Sequence, residues 1–285
     1  MLSKLGATKP LKPLLAEGQM ELQLWRPKSQ KMLWDFARNL DEEHLPDRVA
    51  NCLRFALHAK SKKFDYLPHF RSLTMRGSEL CLKVTNYPMP LRRLLYDRES
   101  LEHQGTQIIR LLVEALMKLE SDKLVMRTIA PSTTILNADH SAMIFADIRG
   151  ICVEGDTTLP ILSTKAPYSA RSMPEYLLIP AADAFWDQWS VGMLILEVLV
   201  GTEAVMATET CSDVQGLVEA AADYIDPATR ALLGYLLLDG PSVDLADYVT
   251  RSLDASSMCI TETIRGLRAA LRLDAKLRKT ATLGR

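Results

Sequence analysis

The sequence predicts an α+β protein in which a small strand-bearing N-terminal part precedes a larger helical part. Three observations support this. Apolar residues alternate in short stretches between Met20 and Val84, the period of a half-buried strand. Tyr87-Pro88-Met89-Pro90 then interrupts any regular element. Beyond it, apolar residues recur at helical spacing. With 285 residues, 48% hydrophobic and 24% charged, the chain is long and apolar enough for a substantial core.

Residues 1–18, rich in Lys, Pro and Gly, read as an extended lead-in. Met20 to Trp25 alternates as a strand. Pro46 to Lys60 is helical, with Val49, Leu53, Ala56 and Leu57 on one face. Phe70 to Met75 and Glu79 to Val84 flank Arg76-Gly77-Ser78 and read as two strands joined by a tight turn. After the proline break, Leu101 to Leu119 carries a wide apolar stripe at 101, 108, 109, 112, 113, 116 and 119. Asp183 to Val200 is apolar almost all round, which predicts a helix inside the core. Val214 to Ala222, Pro227 to Leu238 and Leu245 to Leu253 follow as helices, and a last one begins near Thr261. The expected divisions are 1–18, 19–88, 89–258 and 259–285.

A formal charge of −1 provides no whole-protein attraction to nucleic acid or anionic membrane. The five cysteines are scattered and form no CxxC pair, the usage of free thiols in a reducing compartment. The five histidines are equally isolated, so no metal-ligand spacing occurs. The most apolar stretch, Val191 to Val200, is too short to span a bilayer and carries Glu197. The first residues contain lysines and no acid before Glu17, but neither a continuous apolar run nor an arginine. A secretory signal is therefore not expected, an organellar presequence is the weaker alternative, and the cytoplasm is the expected compartment.

Four motifs in order resemble the protein kinase-like superfamily. Asp187-Gln188-Trp189-Ser190-Val191-Gly192, followed by MLILEVLVG, resembles the DxWSxG segment that opens the central buried helix of protein kinases. Twelve residues before Asp187, Met173-Pro174-Glu175 resembles the APE motif that closes the activation segment. Met126-Arg-Thr-Ile-Ala-Pro-Ser-Thr-Thr-Ile-Leu136 aligns with the catalytic loop HRDLKPENILL, and Met143 to Gly150 takes the place of the strand and DFG motif. Ile225 to Ser252 is similar to the last two C-lobe helices. The resemblance covers about residues 65 to 253 and implies a bilobal fold with a reduced N-lobe and a mainly helical C-lobe.

Phosphoryl transfer requires a held nucleotide, a held metal and a carboxylate that orients the acceptor hydroxyl. By the resemblance, Thr128 fills the catalytic Asp slot, Ala130 the Lys slot, Thr133 the metal-binding Asn slot and Met126 the lead His slot. A threonine hydroxyl is not ionised near neutral pH and cannot replace the carboxylate. By the resemblance Arg127 and Pro131 are retained, and Arg127 is expected to hold loop carbonyls or a nearby acid rather than to pair with an activation-loop phosphate. Asp147 stands in the metal-ligating DFG position, but Ile148 and Arg149 depart from Phe-Gly, and Gly150 comes one place late. One carboxylate makes a poor magnesium site, so Asp147 is expected to cap a turn or to pair with Arg127 or Arg149. No GxGxxG precedes the break, the family's lysine slot falls near neutral Gln23, and no glutamate lies in Pro46 to Lys60. Asp187 is expected to hold the loop backbone, and Trp189 and Gly192 to pack. By the resemblance, Pro174 and Glu175 would close an activation segment. The Asp239 to Asp244 turn contains no arginine to pair with Glu175.

From Ile260 to Arg285 there are seven Lys/Arg and two Asp/Glu, a local +5 against −6 for the remainder. Arg265, Arg268, Arg272, Lys276 and Lys279 form one helical stripe beside Ile264, Leu267 and Leu271. Such a stripe is either a solvated face or a docking surface for an acidic protein, RNA or a membrane surface. The absence of interleaved aromatic residues disfavours single-stranded nucleic-acid stacking. The resemblance therefore implies a catalytically inactive pseudokinase that acts through protein contacts, with no cofactor expected, ATP and magnesium included. The alternatives are a nucleotide-binding switch without transfer, and a peripheral subunit of a cytoskeletal or ribonucleoprotein assembly docked by the basic stripe.

Overall fold

The computed structural model describes residues 19–25, 65–76, 79–85, 87–156, 167–169, 183–238 and 240–252, together with Val49, Cys52 and Phe55. The lead-in, most of the Pro46 to Lys60 helix, Pro174, Glu175, and Arg265, Arg268, Arg272, Lys276 and Lys279 lie outside the described residues.

Helix and strand are mixed, and the first element is a three-stranded antiparallel sheet. Strands β1 (Gln19–Trp25), β2 (Phe70–Arg76) and β3 (Glu79–Thr85) lie in the order β1-β3-β2. Their register places Leu22 and Leu73 opposite Leu82, so the alternating apolar side chains meet on one face. Leu22, Leu80, Leu82 and Val84 are buried there, and Val49 and Cys52 belong to the same core. Arg76 pairs with Glu79 at the end of the β2–β3 ladder, and Gly77 and Ser78 of the expected turn lie outside the described residues.

The proline break is itself ordered. Met89–Pro90 forms a short strand, β4, and Pro90 then occupies the position before helix α1 (Leu91–Tyr96). Its φ of −60° and ψ of 135° are the extended geometry of a residue that precedes a helix. Helix α2 (Arg98–Ser121) starts earlier than apolar periodicity indicates, because Asp97 caps it by accepting from the Ser100 N–H and hydroxyl. Short strands β5 (Leu124–Val125), β6 (Thr134–Leu136), β7 (Met143–Phe145) and β8 (Cys152–Val153) follow. They pair as β4-β6-β7 and β5-β8.

Helix α3 (Phe185–Val200) is buried on nearly every side and packs against α2. It stops at Gly201, whose φ of +95° is open to glycine and costly for other residues. Next come α4 (Thr202–Met206), α5 (Cys211–Ala221) and α6 (Pro227–Leu237). Helix α5 begins at Cys211 rather than Val214 because Thr210 and Asp213 form a reciprocal capping box. Asp226 caps α6 by accepting from the Ala228 and Thr229 N–H groups. The expected helix from Leu245 to Leu253 is instead one α-turn, Leu245–Asp247, followed by a widened turn, Tyr248–Ser252. There Thr250 donates its hydroxyl to the Ala246 carbonyl, a local bond that loosens helices.

Gly192 and Trp189 place α3 in this core. A Cβ on Gly192 would lie 2.7 Å from Leu237 Cδ2 and 2.9 Å from Leu236 Cβ, so only glycine lets α6 approach this closely. The sheet is joined to the helices through the segment before β2. Tyr66 donates its hydroxyl to Asp122, and the Phe145 N–H donates to the Tyr66 carbonyl at 2.9 Å. No helix among the described residues is long and apolar enough to cross a membrane.

Candidate functional site

The loop from Met126 to Thr133 connects β5 to β6. Because β5 pairs with β8 and β6 with β7, the turn at Asp147 to Gly150 is carried back beside this loop. The loop closes on itself through the Ala130 carbonyl, which accepts from the Thr133 and Thr134 N–H groups, both at 3.0 Å.

From the core side the loop is held by Asp187, in the first turn of α3. Its carboxylate is 1% exposed and accepts from the backbone N–H groups of Met126 and Arg127, the latter at 2.9 Å. Arg127 has a φ of +58°, a left-handed conformation that side-chain-bearing residues seldom adopt without outside support. Burial pushes the Asp187 carboxyl up to about 7, against the two N–H donors and the Arg127 charge, which favour ionisation. The Arg127 side chain crosses to the neighbouring turn, where its Nε donates to the Gly150 carbonyl at 2.9 Å. The expected carbonyl partner is thus present, and Nη1 has no hydrogen-bond partner among the described residues. Met126 is fully buried and fills the core where an imidazole would need a polar partner.

On the opposite side, the loop is closed by short local bonds. The Thr128 hydroxyl donates to the Asp147 carbonyl. The Thr133 hydroxyl donates to the Thr128 carbonyl at 2.6 Å and accepts from the Ala130 N–H at 3.0 Å. Asp147 is 6% exposed and caps the turn after it, accepting from the Arg149 N–H at 3.2 Å. Its carboxylate also takes a two-pronged contact from the Arg149 guanidinium, Nε to Oδ1 at 2.7 Å and Nη2 to Oδ2 at 2.6 Å. Burial works against the Arg149 charge, but the Asp147 hydrogen bonds and charge outweigh it and raise the guanidinium above its ordinary pKa. Of the two arginines expected as Asp147 partners, Arg149 takes the role.

Pro131 and Trp189 are joined to their surroundings. The Pro131 carbonyl accepts from the Arg92 N–H at 2.9 Å, tying the loop to α1. Trp189 is fully buried and donates its indole N–H to the Pro167 carbonyl at 3.0 Å. Gln23 is exposed on β1, opposite Cys81. Sequence reasoning did not foresee the bond from the Tyr168 hydroxyl to Glu197 at 2.6 Å, or the one from Tyr66 to Asp122. Glu197 carried a signal, as an acid in an apolar helix that requires a buried partner. Tyr66 and Asp122 carried none, because the pair is 56 residues apart.

Chemically, this cluster presents hydroxyls already bonded to carbonyls, one carboxylate paired with a guanidinium and one buried carboxylate committed to backbone. No group of three or more His, Cys, Asp or Glu side chains suited to a metal ion occurs among the described residues. No protein-family model matches the chain, and no curated protein matches it.

Proposed function

We propose that the chain is a degenerate member of the protein kinase-like superfamily, bilobal with a reduced N-lobe, which works by binding protein partners as a scaffold or assembly subunit. The observation that carries this reading is the occupation of the Asp147 carboxylate by Arg149 beside a loop with threonines at the proton-acceptor and metal-ligand slots. The order of elements agrees with it: a small sheet, a proline-containing connection, a long helix, the loop, the turn and a buried helix.

ATP with magnesium does not fit the residues present. Magnesium needs several hard oxygen donors, and here the nearest carboxylate is neutralised while the threonine hydroxyls serve the loop itself.

A phosphotransfer assay on the full chain with labelled ATP tests the reading. The expected result is no turnover, and turnover that Asp147→Ala abolishes would overturn it. Thermal shift with ATP, with and without magnesium, is expected to leave the melting temperature unchanged. Identification of co-purifying proteins, with and without residues 260–285, tests the basic stripe as a docking element. Retention of all partners by the truncated chain would remove the stripe from the proposal.

A further inference from the structure

Residues 167–169 are held to helix α3 by three hydrogen bonds. The Trp189 indole donates to the Pro167 carbonyl at 3.0 Å, and the Ser190 hydroxyl donates to the Tyr168 carbonyl at 2.6 Å. The third runs from the Tyr168 hydroxyl to the Glu197 carboxylate at 2.6 Å, with both side chains buried. Burial, and then the Glu197 charge, push the Tyr168 hydroxyl above its ordinary pKa, so it keeps its one proton. That proton has a second acceptor in reach. Met206 ends α4 with its Sδ 4.0 Å from the same hydroxyl oxygen. A thioether accepts weakly, so the carboxylate holds the proton. Met206 is nevertheless open to solvent, at 55% exposed, whereas Met126, Met143 and Met193 are buried and Met89 and Met117 are half-buried. Cys52, Cys81 and Cys152 are buried too, and burial pushes the Cys81 and Cys152 thiols up to about 11, away from the reactive thiolate.

We propose that Met206 is an oxidant-responsive modification site, at which hydrogen peroxide forms a sulfoxide whose oxygen takes the Tyr168 proton from Glu197. In the step, a sulfur lone pair attacks one peroxide oxygen. The S–O bond forms as the O–O bond breaks, and water leaves. The sulfur is oxidised, the peroxide is reduced, and methionine sulfoxide reductases reverse the change. The sulfoxide is polar where the thioether was apolar, and its oxygen accepts hydrogen bonds far better than the sulfur did. Tyr168 has one proton to give, so what the sulfoxide gains the Glu197 carboxylate loses. One of the three bonds that hold residues 167–169 to α3 is thereby exchanged for a bond to α4. The inference rests on the contacts of Tyr168 with α3 and α4 and does not depend on the kinase-like reading.

The test treats the full-length protein with dilute hydrogen peroxide, maps the added oxygen by peptide mass spectrometry and follows the melting temperature. Met206 is expected to take up oxygen before Met126, Met143 and Met193. Its oxidation is expected to lower the melting temperature by about 2–8 °C, the loss of one buried charge-assisted hydrogen bond in a chain of this size. Methionine sulfoxide reductases restore it. Met206→Leu keeps the volume, melts near the untreated wild type and no longer shifts with peroxide. Tyr168→Phe melts lower from the start, and oxidation of its Met206 adds no further loss because no proton remains to be taken. Should that variant fail to fold, amide hydrogen exchange at Tyr168 and Ser169 decides on the wild type, where oxidation is expected to quicken it. Oxidation of Met206 no faster than of the buried methionines overturns the proposal. So does a sulfoxide that leaves melting and exchange unchanged, or a peroxide-induced loss of equal size in Met206→Leu or in Tyr168→Phe.

Discussion

The two sides of the Met126–Thr133 loop are held by different chemistry. On the side facing α3, Asp187 reaches across 60 residues of sequence to accept from the Arg127 backbone. On the side facing the Asp147 turn, contacts span no more than 23 residues, and the carboxylate pairs with an arginine two places along. The first side is a long-range bond that fixes a left-handed residue in the core. The second is a local closure that satisfies its own polar groups. A loop built this way retains its shape from behind while presenting no unengaged carboxylate in front.

The largest effect separating the two sides is expected from Asp187→Ala. It leaves two buried backbone N–H groups without an acceptor and removes support from the strained Arg127 conformation, at about 3–5 kcal/mol. Denaturant unfolding measures it, and a loss below about 1 kcal/mol would show that the loop holds its own conformation. The same carboxyl gives a pH dependence of defined sign. Its folded pKa of about 7 lies above its unfolded value, so between those limits the folded state keeps a proton that the unfolded state releases. Stability is expected to rise as pH falls through about 7, with a slope of at most about 1.4 kcal/mol per pH unit from this group. Asp187→Asn should remove that slope.

The second effect probes the local side. Arg149→Met leaves the buried Asp147 carboxylate with only a backbone donor and is expected to cost about 2–3 kcal/mol. The double change with Asp147→Asn should recover most of it, because removing both charges also removes their desolvation cost. Unfolding curves for the two singles and the double complete the cycle. If the double is as unstable as Arg149→Met alone, the pair is not the closure described above.

These two sides were unequally legible in the sequence. Strands β1, β2 and β3 and helix α3 follow from alternation and from an apolar run, signals intrinsic to a dozen residues. The place of Asp187 against the loop backbone follows from the resemblance of DQWSVG to the DxWSxG segment. The choice of Arg149 over Arg127 as the partner of Asp147 was not legible. Both arginines lay within reach, and the Gly150 carbonyl that claims Arg127 exists only once β5 and β8 pair. The early start of α5 was legible in principle, since Thr210 and Asp213 have capping-box spacing. The widened turn after Asp247 was not, because Leu245 and Val249 also suit an ordinary helix.

The smallest effect tests whether the loop's shape belongs to its threonines or is imposed from behind. Thr133 stands where a metal-ligating amide is expected by resemblance, yet its hydroxyl bonds only to loop backbone. Thr133→Val keeps the volume and branching while deleting one donor and one acceptor. It is expected to cost about 1–2 kcal/mol, with the Ala130 N–H losing its side-chain partner. Thr133→Ser retains the hydroxyl and should stay within about 0.5–1 kcal/mol of wild type. If valine and serine are equally tolerated, the hydroxyl is idle and Asp187 alone sets the loop. If serine rescues what valine loses, the Thr133 hydroxyl is part of the loop's own closure. An asparagine there would then disturb the turn.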